Sequence, residues 1–318
     1  MNIEPGIYTN LSNEDYHGHL ASYSKSSAAD CAEYPYKVIY NRTHRERSQK
    51  FDLGTAAHAA ILEPETFEDT LALIPADILG KGGARSTKAY REWLANQPAD
   101  KAVVDDNQRD QVLRIRDSVL NNPAHSRARE LLTGGVAEVS VFWHELFQGD
   151  QVDEETGYHF MSTYQHGIED ETTHKLLMKC RPDYLPGNNI IVDLKTTKTA
   201  LDDETVQRHC YSLKYHWSAA LSCRGLTTAA EIKKASGEYK GRTLHNQYVF
   251  VIVEVDPPHE VVVMNADRDF MALGMKQIMD VLQRLAWCDK NDRWPGMPNK
   301  IKQLSLPGWA LRKLDAQG

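Results

Sequence analysis

No run of about 18 apolar residues occurs anywhere in the chain. Its first stretch, MNIEPGIYTNLSNEDYHG, also lacks both a basic start and an apolar core. Neither a membrane span nor a secretory signal is therefore expected, and a cytoplasmic location is. Cysteine is sparse: Cys31, Cys180, Cys210, Cys223 and Cys288 are scattered with no CxxC pair, which fits reduced buried thiols better than a disulfide framework or a zinc site. Positive charge is not in excess either, since 37 Lys and Arg stand against 44 Asp and Glu for a net charge of -7. That balance argues against a surface that binds nucleic acid all over, and leaves a local groove open. Internal repeats and low-complexity segments are missing. The 41% hydrophobic and 25% charged content of 318 residues is that of an ordinary globular chain, long enough for one elaborated α/β core with peripheral insertions.

The N-terminal third reads as helical. SYSKSSAADCAEYPYKVIY opens like a helix, and FDLGTAAHAAILEPETF places Ala56, Ala57, Ala60 and Ile61 at helical spacing before Pro64, with His58 among them. The stretch Tyr34 to Lys50 carries Lys37, Arg42, Arg45, Arg47 and Lys50 against Glu46, with tyrosines interleaved: a phosphate-contacting face or a solvated loop. ILGKGGARSTKAYREW holds a Gly-rich basic loop with Lys81 and Arg85, either a flap that orders on a ligand or a surface loop. Residues 105–133 read as two polar helices interrupted at Asn121-Asn122-Pro123.

Strand chemistry then takes over in VAEVSVFWHELF, HKLLMKCRPDYL and NNIIVDLKTTK, three successive strands that predict a meander at about 136–146, 174–185 and 189–197. A long helix near 203–224 follows, with Tyr211 and Tyr215 on one face, and then two strands around Asp256-Pro257-Pro258-His259 that predict a hairpin. DRDFMALGMKQIMDVLQRLAWC reads as a final amphipathic helix.

The chemistry concentrates in Arg181-Pro182-Asp183 and Ile190-Ile191-Val192-Asp193-Leu194-Lys195. Alternation along a strand points Asp193 and Lys195 to one face, and Val192 and Leu194 to the other. A short turn at 186–189 would bring Asp183 beside Asp193, giving two carboxylates within reach of one ion. Magnesium takes hard oxygen ligands and keeps several waters, so two acids and a phosphate oxygen make a sufficient site. A neighbouring lysine then positions the attacking water and offsets developing negative charge. Charges on so apolar a strand call for a partner or an ion.

These residues, with the upstream Gly54-Thr55-Ala56-Ala57-His58-Ala59-Ala60-Ile61-Leu62-Glu63-Pro64, resemble the exonuclease VIII (RecE-type) branch of PD-(D/E)xK nucleases, related to phage lambda exonuclease and the RecB nuclease domain. The resemblance runs from about residue 20 to about residue 285. It implies an α/β restriction-endonuclease-like core with a central mixed sheet flanked by helices. A single nuclease domain over 1–318 would then comprise an N-terminal helical elaboration at about 20–133 and a core at about 134–290. It implies metal binding by Asp183, Asp193, the Leu194 carbonyl, Glu138 and His58, with Lys195 at the attacking water. Arg181, Tyr211, Tyr215, Lys81 and Arg85 become candidate DNA contacts, although Gln207 and Tyr211 keep the expected Gln–Tyr spacing one register early. The implied cofactor is Mg2+, with Mn2+ as substitute. An iron–sulfur cluster is not expected, because only Cys288 lies beyond residue 270. The implied activity is 5′-to-3′ resection of linear duplex DNA ends for recombination, by a homo-oligomeric ring working with a single-strand annealing protein. The rival is a catalytically silent DNA-binding or regulatory protein that retains the fold.

Overall fold

The structure, a computed structural model, describes residues 3–44, 52–98, 100–147, 151–152, 159–160, 173–235, 247–301, 303–306, 308 and 312. In chain order the elements are β1 (Gly6–Tyr8), α1 (Asn13–Gly18), α2 (Lys25–Glu33), α3 (Tyr36–Thr43), α4 (Asp52–Leu62), β2 (Leu71–Leu73), α5 (Lys88–Ala95), β3 (Ala102–Val104), α6 (Asp106–Leu120), α7 (Ser126–Leu131) and β4 (Val136–Ala137). There follow β5 (Ser140–Phe147), β6 (Gln151–Val152), β7 (His159–Phe160), β8 (His174–Cys180), β9 (Tyr184–Leu185), β10 (Ile190–Thr197), α8 (Asp203–Ser212), α9 (Tyr215–Ala235), β11 (Gln247–Glu254), β12 (Val261–Asn265) and α10 (Arg268–Asn291).

The apolar run Ile190–Thr197 becomes the centre of a five-stranded mixed sheet in the order β12-β11-β10-β9-β4. β10 runs parallel to β11, with Asp193 opposite Phe250 and Lys195 opposite Ile252, while β12 returns antiparallel as the expected hairpin. Burial on both faces explains the near-continuous hydrophobicity of β10 and β11. Ile191 joins one core with Trp217, Leu221, Ile278 and Leu282 of the C-terminal helices. Val192 and Leu194 join a second with Ala56, Ala57 and Ala60 of α4 and Val112 and Ile115 of α6. Each buried valine, leucine or isoleucine among them contributes about 1.5–3 kcal/mol by leaving water. Small residues let α4 approach closely: a Cβ on Gly54 would sit 3.3 Å from Thr196 Oγ1. A second, antiparallel sheet has the order β1-β5-β8.

The flanked mixed sheet is the architecture expected, but four local expectations need correction. The strand foreseen at 136–146 is broken at Glu138, whose backbone is left-handed with φ 51°. The one foreseen at 174–185 is broken at Arg181–Asp183, where the chain passes from one sheet to the other. The three strands are consequently shared between two sheets and form no simple meander. The helix foreseen at 203–224 is two helices, because Lys214 takes a left-handed φ of 56° after the α8 end. At the N-terminus α2 starts behind Ser24, in line with the expected Ser-led helix start, and Pro35 then separates it from α3, since the residue before a proline disfavours helical backbone. Of the basic stretch from Tyr34 to Lys50, residues 45–50 lie outside the described residues.

Candidate active site

The break in the first strand has a cause in the site. The Glu138 N–H donates to the Asp183 carbonyl at 3.0 Å, and the Gly135 N–H donates to Tyr184 Oη at 2.6 Å. Only glycine fits at 135, because a Cβ there would meet the Leu185 carbonyl oxygen at 2.3 Å. This close crossing delivers the Glu138 carboxylate beside Asp183. A non-glycine residue held in left-handed backbone costs about 1–3 kcal/mol and persists where its surroundings demand it.

β10 supplies the next groups. Asp183 Oδ2 accepts from the Leu194 N–H at 2.8 Å and faces Lys195 Nζ at 3.4 Å. Lys195 Nζ also donates to Asp193 Oδ1 at 2.7 Å and to the Leu194 carbonyl at 3.1 Å. Its ammonium lies 5.7 Å from the centre of the Tyr215 ring, which stacks on Phe250. From the second layer, α4 brings His58 Nδ1 to 3.7 Å from Asp183 Oδ2, and the imidazole is hydrogen bonded to the Leu194 backbone. One ligand atom each from His58, Glu138 and Asp183 lie within 4.8 Å of one another. Residues from four separate stretches, 58, 138, 183 and 193–195, thus converge.

The charges in this cluster are unbalanced, with three carboxylates facing one lysine. Burial, then the neighbouring Asp183, pushes the Asp193 carboxyl up to about 7 against the pull of Lys195. Burial and Asp183 likewise push Glu138 up to about 8, with Arg181 opposing. For Lys195 burial alone would lower the pKa, but Asp183 and Asp193 outweigh it and hold the ammonium above the ordinary lysine range. Burial and Lys195 lower His58 to about 4, so its imidazole is neutral at pH 7 and available as a ligand. Asp193 Oδ2 is buried without a hydrogen-bond partner among the described residues. An orphaned carboxylate oxygen costs about 1–3 kcal/mol or more, and a bound cation removes that penalty. Hard oxygens, one neutral imidazole and surplus negative charge fit a divalent metal ion.

The remaining candidates lie around this cluster in different ways. Arg181 stacks 4.1 Å over Tyr16 and donates to Ser140 Oγ at 2.9 Å and the Leu11 carbonyl at 3.0 Å, so its guanidinium holds the N-terminal arm. Tyr215 packs beside Lys195, whereas Tyr211 is 56% exposed and stacks on His216. Lys81 sits in an exposed turn, and Arg85 is bonded to Gln108 and Asp105. The sequence reading overlooked Lys25, at the start of α2, whose electrostatic neighbours include Lys195 and Asp193. It also overlooked Lys179, buried in β8 and bonded to the Tyr16 and His19 carbonyls.

A mixed sheet carrying paired acids and a lysine on its central strand, with helices on both faces, is the fold of a PD-(D/E)xK nuclease. The family described as a PDDEXK-like domain of unknown function (DUF3799) matches residues 158–307. A protein from Eubacterium rectale, known from a crystal structure and described as a candidate exonuclease, is similar over 95% of this chain and 98% of its own, with a TM-score of 0.51 and 12% identity. No curated protein matches. Among the described residues no helix is long and apolar enough to cross a membrane.

Proposed function

We propose that this protein is a divalent-metal-dependent deoxyribonuclease of the exonuclease VIII type, acting on ends of linear duplex DNA, with the N-terminal helices an elaboration of a single nuclease unit. The observation that carries this reading is the convergence of Asp183, Asp193 and Lys195, with the buried Asp193 Oδ2 left without a hydrogen-bond partner among the described residues. Asp183, Asp193, Glu138, His58 and the Leu194 carbonyl would hold the ion. When bound, it polarises the phosphoryl oxygen and makes the attacking water more acidic. Lys195 orients that water and stabilises the charge that develops on the phosphate oxygens, as an ammonium anchored by two acids can do without reorganising. His58 stays neutral through this chemistry, and Leu194 fixes Asp183 through its backbone N–H.

Purified protein with Mg2+ is expected to release nucleotides from linear duplex DNA, to spare covalently closed circles, and to lose release on Lys195→Ala. Absence of release from the wild-type chain, or equal release from the variant, overturns the reading in favour of a silent DNA-binding protein. Mn2+ is expected to replace Mg2+, and a ring of subunits would account for processive digestion.

A further inference from the structure

Lys25 is the first residue of α2, and Ser24 closes a capping box ahead of it, with its N–H bonded to Ser27 Oγ at 3.2 Å. Its Nζ donates to the Leu213 carbonyl at 3.0 Å, at the end of α8 where the helix breaks. An ammonium has three N–H donors, and this bond uses one. Burial, followed by Lys195 and Lys214, lowers the Lys25 pKa, so the fold places a second half-buried cation near Lys195 although the two repel. Helix capping alone would not require this position, since a serine, an asparagine or water caps a terminal carbonyl without bringing like charges together.

The space beside Lys25 gives that cost a use. A cavity of about 940 Å³ is walled by α2 and α3, and its lining includes Lys25, Ser26, Arg42 and Ser218 together with Asp193. Its size is in the range that encloses a small ligand such as a nucleotide. Arg42 lies 4.1 Å over the Tyr23 ring, and its Nη2 is buried without a hydrogen-bond partner among the described residues. Two cations with spare N–H groups therefore line a chamber that reaches one of the proposed metal ligands. Asp193 is the one acid among the electrostatic neighbours of Lys25, and a phosphate lying in the chamber would add an anionic partner for both Lys25 and Arg42.

We infer that this chamber, walled by α2 and α3 and reaching Asp193, is a subsite for the DNA strand, in which Lys25 binds the phosphate next to the scissile one and Arg42 supports it. The inference rests on the nuclease reading for the identity of the strand, but its test is separable. Affinity for an end-labelled duplex oligonucleotide would be measured by fluorescence anisotropy across a salt series with Ca2+ in place of Mg2+, and KM and kcat would be measured with Mg2+. Lys25→Met is expected to weaken binding about five- to tenfold, to raise KM with kcat nearly unchanged, and to lower the slope of log affinity against log salt by about one. Lys25→Arg is expected to restore the slope. Should Lys25→Met not fold, Lys25→Gln carries the same test, because its amide still donates to the Leu213 carbonyl. An active wild-type enzyme whose Lys25→Gln binding, KM and salt slope are all unchanged overturns the subsite alone. An inactive wild-type chain whose DNA binding still weakens in Lys25→Gln overturns the nuclease reading and supports the subsite.

Discussion

Glu145 on β5 and Asp193 on β10 are both acids inside the protein, and their surroundings could hardly differ more. Glu145 is fully buried, yet Arg224 spans both of its carboxylate oxygens, with Nη2 at 2.8 Å from Oε2, and Trp143 Nε1 donates to Oε1 at 2.8 Å. Gly225 beside it has no room for a side chain, since a Cβ would meet the Trp143 ring at 2.5 Å. Asp193 has a lysine on one oxygen, no hydrogen-bond partner among the described residues on the other, and a second carboxylate alongside. The first arrangement is complete as it stands. The second is complete only with something added, and that difference separates a structural acid from a site acid better than burial does.

The comparison can be broken most directly through activity. Asp183→Asn and Lys195→Ala are each expected to cut nucleotide release by about 10²–10³ while the protein stays folded, as for other groups that act on developing charge. Arg224→Met should leave the chemistry intact in whatever folds and cost about 3–5 kcal/mol of stability in denaturant titration, because Glu145 is left charged and unpaired. Loss of activity with normal stability in Arg224→Met would erase the distinction.

A subtler contrast lies in pH. Without metal, the Asp193 and Glu138 carboxyls at about 7 and 8 still hold protons that the unfolded chain has released above its ordinary values of 3.8 and 4.5. The stability they contribute is full below those ordinary values and is lost as pH rises through the native ones. His58, lowered to about 4, is neutral in both states above its ordinary 6.5, so between about pH 6.5 and 8 the carboxyls decide. The melting temperature in chelator is expected to fall across that window, and excess Mg2+ to flatten the slope with release of protons, measurable by calorimetry in two buffers. The smallest effect is a matter of sign: in chelator at the upper end of the window, Asp193→Asn should stabilise by about 1 kcal/mol, whereas Glu145→Gln should destabilise.

Much of this site was legible in the sequence because its centre is local. β10 announces itself as an apolar run whose alternation sets Asp193 and Lys195 on one face, and the Asp256–His259 turn announces the β11–β12 hairpin. What stayed hidden depends on contacts between distant segments. Glu138 leaves its strand because the Asp183 carbonyl, 45 residues on, accepts its N–H. α8 and α9 part at Leu213 and Lys214, where no glycine or proline stands and where Lys25 meets the Leu213 carbonyl. Lys25 itself carried no motif beyond the serine before it. The family pattern pointed to His58, but its approach depends on small residues along α4 that read equally well as ordinary core.

The placement of His58 has a mechanical consequence. Its helix belongs to the layer packed on one face of the sheet, whereas Glu138 and Asp183 come from the chain crossing at the sheet's edge. An ion gripped by all three would act as a rivet through separate layers, so loading the site should also fasten α4 down and slow its cleavage by proteases.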